Sequence, residues 1–219
     1  MRKKDLFVLA AVLALASPVQ AQQLHHSHQH RFSDAERWAK EFDDPRRDEW
    51  QKPHEVIQAL ALPAGAVVAD IGSGTGYFSV RLAHMLAQGR VYGIDTEPDM
   101  VRYLAERAKR EKLANIVAAQ GKPGDASLPA KADLALLVDV YHHIDARARY
   151  FERLRASLRP GGRVAIIDFR MDSPVGPPPA GRIAPATVIE EMGAAGYVLA
   201  QQHDFLPYQY FLVFRAAPR

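Results

Sequence analysis

The run Asp70-Ile71-Gly72-Ser73-Gly74-Thr75-Gly76 carries the sharpest chemical signal in this chain. It follows the apolar run Val67 to Ile71 and opens a segment with helical spacing. Alternating glycines let the backbone turn tightly and approach a ligand at φ values that other residues resist. A dinucleotide-binding turn, G-x-G-x-x-G, would need glycine at position 77, where the chain has Tyr77. No Gly-Lys-Ser/Thr follows, so the turn is not a P-loop. Asp95 closes a second apolar run, Val91 to Ile94, and an ionised carboxylate can accept two hydroxyl hydrogen bonds. Asp139-Val140-Tyr141-His142-His143 follows a third, Leu134 to Val138. An imidazole there can serve as a base near neutral pH. The alternative for the histidines is structural: one packs under the sheet rim and the other caps the next helix.

These residues need a scaffold, and the apolar periodicity supplies one. Strands are expected over Val67–Ile71, Val91–Ile94, Ile116–Ala119, Leu134–Val138 and Val164–Phe169 as short apolar runs buried on both faces. Between them, helical spacing runs through Tyr77–Ala87, Pro98–Lys112 and Tyr150–Leu158, the last stopped by Pro160-Gly161-Gly162. Met171 to Gly181 is rich in proline and glycine and reads as a loop. A helix over Ala186–Ala195 then leads into two strands, Tyr197–Gln202 and Tyr208–Phe214. Alternation of strand and helix implies a doubly wound, mainly parallel α/β sheet. The last two strands are joined too tightly to be parallel, so the C-terminal hairpin should contribute an antiparallel strand. In such a sheet the glycine turn sits in the crevice at the carboxyl ends of the strands, where ligands bind. Tyr208 and Tyr210 read as core and edge packing.

With those elements in place, Asp70-x-Gly72-x-Gly74-x-Gly76 resembles the D-x-G-x-G-x-G signature of class I S-adenosylmethionine-dependent methyltransferases. Gly124-Asp125-Ala126 followed by Leu128-Pro129, and Leu158-Arg159-Pro160-Gly161-Gly162 before the fifth strand, are similar to further segments of that family. The resemblance covers residues 53 to 169 and implies a seven-stranded sheet with its last strand antiparallel. It implies S-adenosyl-L-methionine as cofactor. Gly72, Gly74 and Gly76 would hold its amino-acid portion. Asp70 would order the turn and reach the ammonium, Asp95 would grip the ribose, and Asp125 with Ala126 would meet the adenine. Asp139 would lie beside the cofactor, with His142 and His143 as candidate bases. The expected function is methyl transfer to a small-molecule acceptor. The alternative is a non-catalytic S-adenosylmethionine-binding or interaction protein on the same fold.

Around this core lie the N-terminal segments. Arg2, Lys3 and Lys4, the unbroken apolar run Leu6 to Ala16, and small residues up to Ala21 have the order of a secretory signal peptide, so residues 1–21 are expected to be cleaved and the protein to be periplasmic or secreted. The apolar run is too short to span a bilayer. Residues 22–31, with His25, His26, His28 and His30, read as a solvated linker rather than a metal site. Residues 32–63 are expected to form a helical lid, with Ser33 and Glu36 as a capping box and Trp38 and Trp50 lining it, ahead of the domain at 64–219; the alternative is a pair of helices packed on the sheet. The chain has no cysteine, which excludes disulfides, a catalytic thiolate and a thiolate metal site. The similar arsenite methyltransferases bind arsenic through cysteines, so the resemblance without them disfavours arsenic as substrate. Formal charge is +3 over the whole chain, and the leader holds three basic residues and one acidic residue. The remainder is near neutral, which argues against a nucleic-acid partner.

Overall fold

The computed structural model describes residues 33–218 apart from Ala126. The leader, the histidine-rich tract and Ala126 lie outside the described residues. The strands are β1 (Val67–Ile71), β2 (Arg90–Asp95), β3 (Ile116–Gln120), β4 (Ala132–Val138), β5 (Leu158–Phe169), β6 (Tyr197–His203) and β7 (Gln209–Ala216). They form one sheet in the order β3-β2-β1-β4-β5-β7-β6. The first five strands pair in parallel, and β7 runs antiparallel between β5 and β6. The expected doubly wound sheet with an antiparallel strand in its C-terminal hairpin is therefore present.

The helices are α1 (Ala35–Phe42), α2 (Arg47–Gln51), α3 (Pro53–Ala59), α4 (Tyr77–Met85), α5 (Pro98–Arg110), α6 (Arg147–Leu154) and α7 (Pro185–Ala194). They cover both faces, and strand periodicity divides the core accordingly. On one face Val68, Leu134, Leu136 and Ile167 pack with Phe78 and Leu82 of α4, Leu104 of α5, and Val56 and Ile57 of α3. On the other, Ala135, Leu137, Ile166 and Leu212 pack with Phe151 and Leu154 of α6, and Val188 and Met192 of α7. The same alternation sends Asp70 toward α4 and Asp168 toward α6 and α7. The chain winds outward one way from β1 to β3 and the other way from β4, so a crevice opens at the carboxyl ends of β1 and β4.

Several boundaries differ from the sequence expectation. The cap of α1 is Asp34, whose side chain accepts from Arg37 N, and not Ser33. Asp34 adopts φ 69°, and Asx side chains tolerate the left-handed region. The helix expected over Tyr150–Leu158 begins earlier, at Arg147, and ends at Leu154, where a 3-10 turn (Arg155–Ser157) takes over. Pro160-Gly161-Gly162 lies inside an irregular start to β5, whose pairing with β4 slips between Ala132 and Leu134. Helix α3 is part of the core rather than a cover, so only α1 and α2 of the expected lid lie across the cleft.

Candidate active site

The glycine turn is fastened to the tip of β2. Gly72 N and Ser73 N both donate to Ile94 O, at 2.7 and 3.0 Å. Gly74 N donates to Asp95 Oδ2 at 2.8 Å, and Glu97 N to Asp95 Oδ1 at 3.0 Å. The carboxylate expected to grip a sugar is thus docked against the middle of the turn. Burial pushes its carboxyl upward, and the backbone donors of Glu97 and Gly74 oppose that. Gly72, Gly74 and Gly76 have φ of 72°, 52° and 93°. At Gly72 a Cβ would also stand 2.2 Å from Val140 Cγ2, so side chains larger than hydrogen are shut out where β1 meets β4. Asp70 is 3% exposed and accepts from Ser79 Oγ at 2.6 Å. Burial pushes its carboxyl up to about 6, with the Ser79 hydrogen bond opposing and the Asp95 charge adding. Of its two expected roles, the contact with α4 supports ordering of the turn.

Beyond Asp95 a cleft of about 250 Å³ opens among Ile94, Ala119, Gly121, Leu128, Pro129 and Asp125. Apolar side chains make up most of its walls, and Gln120, Lys122, Ser127 and the Asp125 carboxylate also line it. Asp125 is exposed and accepts from Ser127 N at 2.9 Å, and the hydrogen bonds from Ser127 hold its carboxyl below the usual range.

The opposite end of the crevice is covered. The Phe42 ring stands 3.5 Å from where a Gly74 Cβ would be, and Trp38 stacks on it with centroids 5.3 Å apart. Arg107 ties α1 to the turn by donating to Asp43 Oδ1 at 2.8 Å and to Thr75 O at 3.2 Å. Arg47 donates to Phe42 O, Gln51 Oε1 and Asp139 Oδ2, at 2.6, 2.7 and 3.4 Å. Gln51 Nε2 donates to Asp139 Oδ2 at 3.0 Å and to Gln209 Oε1 at 3.1 Å, while Gln209 Nε2 donates to Asp139 Oδ1. Both glutamines are essentially fully buried. The carboxylate of Asp139, expected beside the cofactor, is held in this latch between α2, β4 and β7. The reason is local: at φ 60° the residue turns off the end of β4 toward the lid. Burial pushes Asp139 up to about 6, with the Arg47 charge opposing and the Asp168 charge adding. Trp50, expected in the lid, packs at 6.0 Å from Phe169 and 6.1 Å from Tyr208.

The histidines sit on a 3-10 turn, Tyr141–His143, directly after this latch. His142 Nδ1 lies 2.9 and 3.0 Å from the two oxygens of Asp168, and His142 N donates to the same carboxylate at 3.3 Å. The side chains are 8% and 2% exposed. Burial would lower the imidazole, but the Asp168 hydrogen bond and the charges of Asp168 and Asp139 more than offset it, so His142 holds its proton more tightly than a free histidine. With Nδ1 given to Asp168, Nε2 is the atom that can take up a proton. His143 is exposed, with its ring 4.1 Å from that of His142.

The structure therefore gathers Gly72, Gly74, Gly76, Asp70, Asp95, Asp125, Asp139 and His142 along one edge of the sheet. Sequence reasoning missed Asp168, Gln51, Gln209 and Arg47. The available signal was polarity out of place: Asp168 interrupts the apolar run of β5, and Gln209 opens that of β7. Among the described residues, no group of His, Asp or Glu could hold a metal ion, and no helix is long and apolar enough to cross a membrane.

Comparison with known proteins agrees with this geometry. A family model described as a methyltransferase domain matches residues 62–194. The chain is 29% identical over 133 residues to trans-aconitate 2-methyltransferase of Rhodopseudomonas palustris (strain BisB18), covering 61% of this chain and 48% of that protein. It is 30% identical over 134 residues to erythromycin 3''-O-methyltransferase of Saccharopolyspora erythraea, covering 57% and 43%. The chain spans about half the length of the curated relatives it matches. Among solved structures, a SAM-dependent methyltransferase from Aquifex aeolicus superposes with a TM-score of 0.76 at 25% identity, covering 83% of this chain and 97% of that one. The CcbJ methyltransferase from Streptomyces caelestis shares the fold at 16% identity, with a TM-score of 0.66 and coverage of 80% and 98%. By the extent of the family match and the fold together, this chain belongs to the methyltransferase-domain family.

Proposed function

We propose that the protein transfers a methyl group from S-adenosylmethionine to a small-molecule acceptor that carries an O–H or N–H proton. The observation that carries this reading is the docking of Asp95 on Gly74 N at the joined tips of β1 and β2. The residues present fit the donor. Asp95 is half-buried and its two oxygens accept from two backbone donors, which leaves acceptor capacity for a diol. The cleft beside it has apolar walls from Ile94, Ala119, Leu128 and Pro129, with Gln120, Lys122 and Asp125 also lining it, and so offers both an apolar surface and a carboxylate to a purine with an exocyclic amine. Thr75 Oγ1 is buried in the turn without a partner, a polar atom suited to a polar ligand.

When bound, S-adenosylmethionine supplies an activated methyl group on a sulfonium centre. Positioning then carries much of the catalysis, and orientation of two reactants is worth roughly 7–11 kcal/mol. Asp95 and the turn hold one reactant. Helix α2, latched on Asp139, and the Trp50, Phe169 and Tyr208 rings exclude water over the ends of β5 and β7. His142, oriented by Asp168, takes the acceptor's proton at Nε2 as the methyl group moves.

Calorimetry with S-adenosylhomocysteine tests the reading. Asp95→Ala should weaken binding by about tenfold or more, the loss of a charge-assisted hydrogen bond pair. Unaltered affinity in that variant would place the sugar elsewhere and remove the basis for the assignment. Export through the leader at residues 1–21 belongs to the same reading. N-terminal sequencing of protein recovered from its native cell envelope should then begin at Gln22, and an intact Met1 overturns it.

A further inference from the structure

We propose that Tyr210 is a positioning residue for the His142–Asp168 pair, its buried hydroxyl donating to the Asp168 carboxylate directly or through a bridging water and so setting how tightly His142 holds a proton. This deepens the function proposed above and rests on His142 as its base.

The geometry comes from the sheet. In the antiparallel pairing of β5 with β7, Tyr210 stands opposite Asp168. Residues directly opposite bring their Cβ atoms to about 4.5–5.5 Å on one face. Both side chains project toward α6 and α7, the face that also receives Tyr141. Tyr210 is 5% exposed, and its hydroxyl has no hydrogen-bond partner. Folded proteins seldom leave such a group unpaired, because an unmet buried donor costs the full desolvation of that group.

Among the titratable groups near it, one has an open acceptor site. The groups whose charge bears on the phenol are Asp168, Tyr141, Asp139 and Arg147. The Tyr141 hydroxyl donates to Glu191 Oε2 at 2.5 Å, and Arg147 is paired with Glu191 at 2.6 and 2.8 Å. Asp139 is held by Arg47, Gln51 and Gln209. Asp168 accepts from His142 Nδ1, His142 N and Phe169 N, three donors on a carboxylate with about four lone-pair sites. It is the acceptor with room. The charged and titratable groups facing His142 are Asp168 from β5, Asp139 from the end of β4 and the tilted ring of His143. A donor added to Asp168 spreads that carboxylate's charge and loosens its hold on the imidazolium. Removing the donor tightens it.

The test is an NMR titration of ring-labelled histidine in the donor-free full chain, with the His142 resonance identified by its loss in His142→Gln. In Tyr210→Phe the His142 midpoint should rise by about half a unit, one weak hydrogen bond's worth. The acidic limb of kcat/KM should move up with it, and the melting temperature should fall slightly, as the loss of one buried hydrogen bond requires. Site-specific 3,5-difluorotyrosine at 210 keeps the ring and strengthens the donor, and it should move the midpoint down. A midpoint unmoved in both variants overturns the proposal. The activity of His142→Gln is a separate readout. Loss of about a hundredfold or more supports the base reading, and full activity removes it whatever the titration shows.

Discussion

Asp70 is a weak acid because β1 alternates: Val68 and Asp70 share the face covered by α4, so the carboxylate is buried and meets Ser79. Its folded pKa of about 6 lies above the ordinary 3.8, so the folded state prefers the neutral form. Stability is then fullest below the ordinary value and falls as pH rises through about 6. Asp70→Asn keeps an oxygen for Ser79 and removes the buried charge. It should stabilise the protein at pH 7 by about 1–3 kcal/mol, with the gain vanishing below about pH 4. Thermal melts across that range check it, and a variant no more stable at pH 7 than the parent would refute it. At this scale the sequence was most legible where spacing is the signal. The glycines and Asp95 stand in fixed relation along two adjacent strands, and they meet as expected. Asp139 and His142 were legible as residents of the cleft edge but not in their partners. Gln51 and Gln209 lie far apart in the chain, and only the completed sheet brings them to one carboxylate.

The elements show why glycine is needed beyond the turn itself. Leu104 of α5 fills a notch that two glycines leave open: a Cβ at Gly76 would meet Leu104 Cδ1 at 2.4 Å, and one at Gly93 would meet Leu104 Cδ2 at 2.2 Å. One leucine thus packs behind both the turn and the second strand. Gly93→Ala introduces a single methyl group into that notch and should cost about 1–3 kcal/mol through overpacking. The melting temperature should fall by several degrees, at about 2–4 °C per kcal/mol for a chain of this size. Leu104→Ala should cost less in the Gly93→Ala background than alone, because the added methyl occupies part of the space vacated. Simple additivity of the two would place Leu104 elsewhere. Apolar runs bounded by glycine, a charge or an amide gave both bounds of β1 and those of β2 and β3 to within a residue. Helix starts were less legible. At α1 the choice between Ser33 and Asp34 as cap depends on Asp34 entering the left-handed region and on its N–H finding Asp99 Oδ2 of α5, 65 positions away.

For the molecule as a whole, the glycine-turn end and the His142 end of the cleft are assembled from different stretches of chain. The turn, Asp95 and the apolar cleft come from β1 through β3 and their loops. His142, its carboxylate partner Asp168 and the latch on Asp139 need β4, β5 and β7. Tyr210 and Gln209 belong to β7, which lies between β5 and β6 although it follows both in sequence. That placement has a consequence for biosynthesis. As the chain emerges N-terminus first, from the ribosome or from an export channel, the early half can form its parallel strands, but β5 keeps a bare edge until residue 209 and those after it follow, a few seconds later at ordinary elongation rates. An unpaired, apolar edge is an invitation to association. A nascent chain of this protein is therefore most exposed to aggregation and to chaperone capture in the interval between the emergence of Phe169 and that of Ala216.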